Sequence, residues 1–457
     1  MAQTTTSPPR VCEAHGVETR LQCVNCGAPI CLRCQVRTEV GLKCPKCAAV
    51  PEAPRLRQRR NTARLVAALG AAVVVIAAVG IALGLHFSSS SSKPAPAATT
   101  TGHWQSLPSL SAVRGSTTAV RLTDGRVLVA GGGIGSVPLA GTEVFNPATK
   151  TWSSAGDMHQ ARRGNETVLL RDGRVLTAGG VAGSTVLSSV EIWNPAANTW
   201  STAAPLNTAR FNEILVTLPD GRVLAAGGID ASSAATLASA EIYDPNANTW
   251  TVLPQGLLQS RSDAGAVLVG GGRVLIAGGY SQQRGQSPNP LNEVEVFDPA
   301  ASVFARGPSM TEARADLTLT ALNNGQVLAA GGYSMTSTLA SAELYDPASS
   351  NWNEITGMHQ QRERASASVL PDGSVLVAGG ESADVRDGVT GTRTSLATAE
   401  VYKPGTKQWL ATPAMHCPRS AQAQVTLTSG EAIVVGGDAA FPGQPPTPQS
   451  CAEIFAP

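Results

Sequence analysis

The sequence after residue 103 repeats one pattern seven times, and this repetition constrains the fold more than any other feature. Each unit opens with an arginine. About ten residues later there is usually a turn dipeptide such as Asp-Gly, followed by an apolar run that ends in Gly-Gly. A third apolar segment follows, as in VEIWNP and AELYDP, and in six units an aromatic residue stands five positions beyond its proline. The repeat arginines are Arg114, Arg162, Arg210, Arg261, Arg314, Arg362 and Arg419.

The short Val-, Ile- and Leu-rich segments of each unit are bounded by turn residues, which predicts four β-strands per unit, the blade of a propeller. The seventh unit ends at Pro457 without its aromatic residue, whereas Trp104 stands before the first arginine. A closed ring explains both facts if the segment around Trp104 supplies the fourth strand of the last blade, because closure removes exposed strand edges. The sequence therefore predicts an all-β, seven-bladed propeller over residues 103–457.

Two details of the repeat lead to further expectations. Asp-Gly and Asn-Gly are typical of two-residue hairpin turns with positive φ. The arginines recur at one position in every unit, so they are expected to be structural and to bridge neighbouring blades.

These motifs resemble kelch repeats, and phrases such as TDGRVLVAGG and PDGRVLAAGG are similar to those of bacterial galactose-oxidase-type propellers. The resemblance covers nearly all of residues 103–457 and every unit carries it. It implies the propeller fold and no particular activity.

Residues 65–87 read LVAALGAAVVVIAAVGIALGLHF and contain no Asp, Glu, Lys or Arg. A helix of this length spans about 34 Å, enough to cross a bilayer. Five arginines lie between residues 55 and 64, and only Lys93 follows closely, which places the N-terminus in the cytosol and the propeller outside. A cleaved signal peptide and a buried core helix are the alternatives; the run is long for the first and lacks amphipathic partners for the second.

The segments that flank this predicted transmembrane helix differ in composition. Residues 1–64 carry eleven Lys and Arg against four Asp and Glu, whereas the rest of the chain carries 23 against 29. Residues 49–64 form a basic juxtamembrane segment. Residues 88–102 form a Ser-, Pro-, Ala- and Thr-rich linker that cannot bury enough surface to fold. The head and the body are therefore expected to work in different surroundings.

Residues 11–48 contain four pairs of potential metal ligands, each pair separated by two residues. This gap lets both members reach one tetrahedral ion, and thiolates with imidazole are typical ligands of structural Zn²⁺. Eight ligands predict two closed zinc sites whose occupation is coupled to folding. Disulfides are the alternative, which a reducing cytosol disfavours. The eight ligands are Cys12, His15, Cys23, Cys26, Cys31, Cys34, Cys44 and Cys47.

This pattern resembles a B-box-type zinc finger, with Cys44 and Cys47 where the usual B-box has histidines. The nearby arginines could contact phosphate, but the membrane explains them, so a cytosolic protein partner is expected and no nucleic acid. The resemblance implies a cross-braced pair of zinc sites: Cys12, His15, Cys31 and Cys34 on one ion, and Cys23, Cys26, Cys44 and Cys47 on the other.

The residue two positions after each repeat arginine varies from unit to unit. The loop between the second and third strands, which is longer in the fourth, sixth and seventh units, emerges on the same face of the ring, and such loops on a rigid frame are common recognition sites. We expect Asn212, Asp263, Asp316 and Arg364 to form a polar ligand pocket there. The seven variable residues are Ser116, Gly164, Asn212, Asp263, Asp316, Arg364 and Ala421.

An enzyme would need a recognisable set of reactive groups. The copper site of galactose oxidase uses tyrosine and histidine ligands with a cysteine–tyrosine cross-link, and no Tyr–His pair occurs in this propeller. No acid–base pair stands out from the solvated carboxylates. The sequence therefore predicts that the protein is not an enzyme, with a surface carbohydrate-active enzyme as the alternative.

Cys417 and Cys451 both belong to the last unit, at the starts of its first and third strands. In an oxidising exterior they are expected to form a disulfide that ties down the blade holding the chain terminus. Two free buried thiols are the alternative.

These features predict a single-pass protein of the plasma membrane that binds or scaffolds. Its propeller is expected to recognise an extracytoplasmic protein or glycan, and its zinc module a cytosolic protein partner. A surface enzyme and a purely structural envelope protein are the alternatives.

Overall fold

The structure, a computed structural model, describes the propeller apart from short loop segments, together with a few strands ahead of it. The chain divides into two compact units, Met1–Lys93 and Pro94–Pro457. The described residues are 10–11, 18–19, 36–38, 41–43, 99–100, 102–230, 235–383, 393–441 and 446–457.

Short antiparallel strand pairs are described in the first unit: Arg10–Val11 with Glu18–Thr19, and Val36–Thr38 with Gly41–Lys43. The eight predicted zinc ligands, the basic segment 49–64 and the apolar run lie outside the described residues. Within the described ranges, no helix is long and apolar enough to span a membrane.

Seven four-stranded antiparallel sheets form the second unit, one for each repeat. The first strand of each blade packs against the first strands of both neighbours, so the sheets close into a ring. The first strands are Thr118–Arg121, Glu166–Leu169, Ile214–Thr217, Gly265–Val269, Thr318–Ala321, Ser366–Val369 and Ala423–Thr426. The second strands are Val127–Ala130, Val175–Ala178, Val223–Ala226, Arg273–Ala277, Val327–Ala330, Val375–Ala378 and Ala432–Val435.

The outer half of each blade follows the same order. Blade 1 differs in that its third and fourth strands are longer and their register shifts after Ser154 and after Asp157. The third strands are Val137–Asn146, Val190–Asn194, Ala240–Asp244, Val294–Asp298, Ala342–Asp346, Ala399–Lys403 and Ala452–Ala456. The fourth strands are Thr151–Arg162, Thr199–Ala203, Thr249–Val252, Val303–Arg306, Asn351–Ile355, Gln408–Ala411 and His103–Leu107.

The loops between second and third strands contain short paired segments. In blade 1, Gly133–Ile134 pairs with the start of the third strand, and in blade 5 Tyr333 bridges Thr338. A 3₁₀ turn, Gly270–Gly272, joins the first two strands of blade 4. The other loop pairs are Val181–Ala182 with Thr185–Val186, Ile229–Asp230 with Ala235–Thr236, Tyr280–Ser281 with Asn289–Pro290, Glu381–Ala383 with Arg393–Ser395, and Asp438–Ala439 with Thr447–Pro448.

The last blade combines the two ends of the propeller. His103–Leu107 pairs antiparallel with Ala452–Ala456, and Trp104 lies opposite Phe455 with ring centroids 5.1 Å apart. The described end of the predicted linker also contacts the ring, since the N–H of Thr100 donates to the carbonyl oxygen of Ala411 at 3.0 Å. The predicted seven blades and mixed last blade are confirmed.

The core consists of layers between neighbouring blades. The second strands are buried on both faces, which explains their continuous apolar runs. The repeat tryptophans fill the outer part of each layer: Trp200 of blade 2 packs with Val120 and Leu128 of blade 1. Each blade thus completes the core of its neighbour, and a single blade could not bury its apolar faces alone.

The prediction of two-residue hairpins was wrong. In blade 1 the N–H of Gly125 donates to the carbonyl oxygen of Leu122 at 3.0 Å, and the N–H of Leu122 donates to the carbonyl oxygen of Arg126 at 2.8 Å. The loop between Leu122 and Arg126 therefore has three residues. Only the glycine has positive φ, at 88°. This is the three-residue hairpin that combines a type I turn with a glycine bulge. A carboxylate oxygen of Asp124 accepts from the N–H of Arg126 at 3.0 Å and so stabilises the end of the turn, across the bulge glycine.

The expectation that the arginine side chains bridge blades was also wrong. Each buried guanidinium binds a glutamate of its own blade; Arg362, for example, also donates to the carbonyl oxygen of Gly379 at 2.6 Å. The backbone makes the bridge instead, because the N–H of Gly332 in blade 5 donates to the carbonyl oxygen of Arg362 at 2.8 Å. The ion pairs are Arg114–Glu143, Arg162–Glu191, Arg210–Glu241, Arg261–Glu295, Arg314–Glu343, Arg362–Glu400 and Arg419–Glu453.

The glycine pair of each blade makes this backbone bridge possible. Gly331 has φ of 64°, and a Cβ atom there would lie 2.4 Å from the carbonyl oxygen of Arg362. Only glycine permits both this conformation and this approach of two backbones.

Candidate functional site

Seven residues at the inner start of the blades share a left-handed backbone conformation, with φ between 49° and 61°. We call this set the inner ring. A non-glycine residue in this conformation costs about 1–2 kcal/mol, so it persists only where surrounding contacts impose it. The inner ring consists of Ser116, Gly164, Asn212, Asp263, Asp316, Arg364 and Ala421.

Hydrogen bonds between blades impose that conformation. At five of the seven positions, the N–H of the inner-ring residue donates to the carbonyl oxygen of the equivalent residue in the preceding blade, at distances of 2.9–3.3 Å. The backbone at these five positions is therefore held in the same way, while the side chains differ. The bonds run from Asn212 to Gly164, from Asp263 to Asn212, from Asp316 to Asp263, from Arg364 to Asp316 and from Ala421 to Arg364.

All seven inner-ring residues line one cavity of about 550 Å³ at this end of the ring axis. We call it the axial cavity. The four predicted pocket residues are thus brought together, and the structure adds the three small members, Ser116, Gly164 and Ala421. First-strand residues of blades 1 and 2 complete one wall, among them Thr118, which donates to the hydroxyl of Thr167 at 2.7 Å.

Two carboxylates of the inner ring lie close together. Asn212 donates through Nδ2 to Oδ1 of Asp263 at 2.7 Å. Burial, together with the negative charge of Asp316, raises the pKa of Asp263 to about 7. Burial raises the pKa of Asp316 as well, against the opposing charges of Arg364 and Arg393. The cavity thus holds carboxylates that are short of compensating positive charge.

Sequence reasoning missed a third carboxylate, that of Glu166. It belongs to the first strand of blade 2 and lines the axial cavity. Burial and the charge of Asp263 raise its pKa to about 7. A signal existed, because this position lies four residues after the repeat arginine and is charged in one blade only. Its counterparts are Thr118, Ile214, Gly265, Thr318, Ser366 and Ala423.

A charged cluster adjoins the cavity at blade 6, and the sequence did not predict it. Arg393, from the loop between second and third strands, contacts Oε1 of Glu381 at 2.6 Å and Oε1 of Glu363 at 3.4 Å. Arg364 lies 3.5 Å from Oε1 of Glu381. Although burial lowers it, the pKa of Arg364 is raised by the carboxylates of Asp316 and Glu381. Arg364 is therefore held as a cation by its neighbours.

The loops between second and third strands rise beside the inner ring. Backbone bridges join the residue before an inner-ring position to the first loop residue, as between Gly115 and Gly133, Ala315 and Tyr333, and Ser420 and Asp438. In blade 2 the loop residues Val181 and Val186 line the axial cavity directly. The loops therefore form the rim of the cavity, on the face where the sequence predicted recognition.

Cys417 and Cys451 form a disulfide. In blades 5 and 6 the same two positions are linked by side-chain hydrogen bonds: Ser341 Oγ donates to Glu312, and Thr398 Oγ1 donates to Oε1 of Gln360 at 2.6 Å. A covalent bond thus takes the place of a recurring polar contact in the mixed blade.

The fold of the chain is similar to that of a solved structure described as a novel fungal alcohol oxidase with catalytic diversity among the AA5 family, in complex with copper. The two share 19% sequence identity, with a TM-score of 0.62 over 78% of this chain and 77% of that chain. At this identity the likeness shows the fold alone. No curated protein sequence gives a significant match.

The donor groups of the axial cavity do not fit copper. Imidazole is a typical copper ligand, but the described residues that line the cavity supply carboxylates, amides, hydroxyls and arginines without a histidine. His159, His359 and His416 each contact the buried glutamate of their own blade instead. The described part of the chain also contains no cluster of three or more metal-ligating side chains.

The kelch motif matches five segments of the chain. They correspond to the first five blades, and the remaining two blades repeat the same strands, arginine–glutamate pair and glycine pair. The matched segments are residues 114–159, 162–207, 214–256, 261–311 and 319–359. The body of this chain is a seven-bladed β-propeller built from kelch repeats.

Proposed function

We propose that this protein is a membrane-anchored binding protein whose propeller recognises an extracytoplasmic protein or glycan at the axial cavity. One observation carries the proposal. The arginine, glutamate and glycine pair are the same in every blade, whereas the inner-ring side chains differ and converge on one cavity. A uniform frame that presents different side chains to a single cavity is suited to recognition.

The other parts of the proposal rest on the sequence. The apolar run 65–87, with arginines before it, supports a single membrane span with the propeller outside. The four ligand pairs of residues 11–48 support two structural zinc ions and a cytosolic protein partner. We expect elemental analysis to find two zinc ions per full-length chain. We also expect protease added to intact cells to digest the propeller. Digestion of the cysteine-rich head from outside would contradict this topology.

A second candidate is a carbohydrate-active surface enzyme. Glu166 and Asp263, with pKa values raised to about 7, could hold or release a proton near neutral pH, as general acid–base catalysis requires. The binding function is favoured because the pKa values of Glu166 and Asp263 are raised to the same range, so their environments do not assign one as acid and the other as base.

The binding function is tested with full-length protein in detergent micelles, probed with a glycan array and a random-peptide phage library. We expect selective binders that weaken at least about tenfold, or 1.4 kcal/mol, in the Asp263→Asn and Asp316→Asn variants. Asp124→Asn, an exposed acid in a hairpin turn, is the matched control and should bind as the parent does. If no probe distinguishes the cavity variants from the control, the cavity is not the recognition site. Release of reducing sugar from a bound glycan would favour the enzyme instead.

A further inference from the structure

We propose that the axial cavity receives a positively charged side chain, lysine or arginine, presented by a protein partner that rests on the loop tips around the rim. This inference rests on the proposed binding function and narrows it from a protein or glycan to a protein of stated chemistry.

The charge balance of the cavity is the first argument. Three carboxylates and two arginines line it, so the lining carries one more negative than positive group. Arg364 acts most strongly on Asp316 and Glu381 and less on Asp263, and Arg163 acts on Asp438. Within the described residues, neither Glu166 nor Asp263 forms an ion pair; Asp263 accepts hydrogen bonds from the neutral side chains of Asn212 and Ser262, and the carboxylate of Glu166 has no side-chain partner. A cation that enters the cavity would therefore find carboxylates that no ion pair occupies.

The environment of these two carboxylates strengthens the argument. Both sit in a cavity wall where burial disfavours the charged form. In addition, the charge of Asp263 raises the pKa of Glu166, and the charge of Asp316 raises the pKa of Asp263. A buried cation offsets this repulsion and restores the charged form, so the free energy of binding includes relief of an existing unfavourable interaction. A neutral ligand would leave that repulsion in place.

The rim supplies the second, independent argument. The described surface carries eight large apolar side chains that are strongly exposed; three of them lie in loops between second and third strands, and a fourth, Val137, begins the third strand of blade 1. Ile134 and Val137 belong to blade 1, and Phe441 to blade 7, whose loop packs against that of blade 1. Met335, 62% exposed, is the tip of the blade 5 loop. Apolar contacts around a polar centre are typical of a protein interface.

The same pattern argues against a glycan as the occupant. Sugar rings commonly rest on aromatic faces, and Phe211 is the one aromatic side chain among the described residues that line the cavity. Three of the four exposed rim residues, Ile134, Val137 and Met335, are aliphatic and only Phe441 is aromatic, so the rim suits the apolar side chains of a protein loop better than the polar edges of a sugar.

The test uses full-length protein in detergent micelles and a random-peptide phage library. We expect the enriched peptides to share a lysine or arginine next to apolar residues. A synthetic peptide of the enriched sequence should bind at least about tenfold more tightly than its derivative with norleucine or glutamine in place of that basic residue, as measured by fluorescence anisotropy.

Protein variants locate the contact. Glu166→Gln and Asp263→Asn, which keep the side-chain shape, should each weaken the peptide about tenfold, whereas Glu354→Gln, an exposed acid on a fourth strand, should not. On the rim, Val137→Ser and Phe441→Ser should weaken binding about threefold, and Val303→Ser, an exposed apolar control on the side of blade 4, should leave it unchanged. Thermal unfolding of each variant verifies that it is folded.

Two outcomes would overturn the inference and separate its failure from that of the proposed function. In the first, the library yields acidic or neutral peptides, or no peptide at all, while glycans bind in a way that depends on Asp263. This result would reject the cationic side chain and keep the cavity as a binding site. Basic peptides that bind equally to the parent and to Glu166→Gln would place their contact outside the cavity.

Discussion

Blades 6 and 7 share their strand order and their arginine–glutamate pair but differ in how they are tied together. In both, an arginine binds a buried glutamate, with Arg362–Glu400 at 3.2 Å and Arg419–Glu453 at 2.8 Å. Blade 6 is one continuous stretch of chain, whereas the fourth strand of blade 7 comes from the start of the propeller. Where blade 6 has a hydrogen bond between Gln360 and Thr398, blade 7 has a disulfide.

The difference shows where this ring needs reinforcement. The disulfide does not touch the N-terminal strand, but it joins the two segments on which that strand rests. One is the third strand, Ala452–Ala456, which pairs with the N-terminal strand; the other is the loop with His416, whose ring nitrogen bonds to Ser106 at 3.2 Å. A rigid acceptor lowers the entropy cost of docking a strand that is held by non-covalent contacts alone.

The largest effect is expected from the tryptophans of the two fourth strands. Trp104→Ala and Trp409→Ala should each lower the free energy of unfolding by about 3–5 kcal/mol, because both side chains are buried against an aromatic partner. Urea unfolding measures this loss.

Hydrogen exchange then distinguishes the fourth strands of the two blades by their local stability. In the Trp104 variant, residues 103–107 should lose protection far more than residues 408–411 do in the Trp409 variant, since the chain holds the latter at both ends. Equal losses of protection would show that chain continuity does not matter here.

Removal of the disulfide should have the next largest effect. The Cys417→Ser, Cys451→Ser double variant should lose about 2–4 kcal/mol in urea unfolding, because the bond closes a loop with a sequence separation of 34 residues. Treatment of the parent with a reductant should reproduce the loss. An unchanged double variant would mean that the hydrogen bonds of blade 7 suffice.

The same pair of positions offers a converse experiment in blade 6. Gln360→Cys combined with Thr398→Cys should form a disulfide and stabilise the oxidised protein by about 1–3 kcal/mol. Failure to oxidise would indicate that the two blades differ in geometry as well as in side chains.

The smallest effect is a difference in acid sensitivity. Burial would raise the pKa of Glu400, but the N–H of His359 and the charge of Arg362 lower it below the usual value, and Glu453 behaves likewise through His416 and Arg419. A lowered folded-state pKa stabilises the protein above the unfolded value, and this contribution is lost as pH falls through the folded pKa. Below about pH 4.3, both loops should therefore loosen.

Blade 7 should resist this loosening, because the disulfide holds its loop after Glu453 is protonated. Hydrogen-exchange protection at pH 3, relative to pH 6, should fall more for residues 359–360 than for residues 416–417. Reduction of the disulfide should remove the difference, and its persistence would assign the resistance to another contact.

Backbone repetition is what made the fold predictable. The arginine, glycine pair and aromatic recur because each blade solves the same packing problem, so their count predicted seven blades, and the misplaced Trp104 predicted the mixed one. The spacing of the arginines does not distinguish a bridge between blades made by side chains from one made by the backbone, so the predicted role of the arginine side chains was wrong. Asp-Gly likewise suits two hairpin types, and the choice depends on how the strands pair.

The site was predictable only in part for a related reason. Asn212, Asp263, Asp316 and Arg364 share one repeat position, so the ring brings them together. Glu166 reaches the same cavity from a different repeat position, which the variation at the inner-ring position does not reveal. Arg393 meets Glu363 across a loop whose path the sequence does not specify.

The inner ring has a consequence for how such a protein can change its ligand. Since the inner-ring hydrogen bond from Ala421 to Arg364 uses main-chain atoms only, Ala421 could be exchanged for an acid or a base while this backbone contact stays as it is. Specificity can then shift by one substitution at a time, each presented to the same occupant from a different angle.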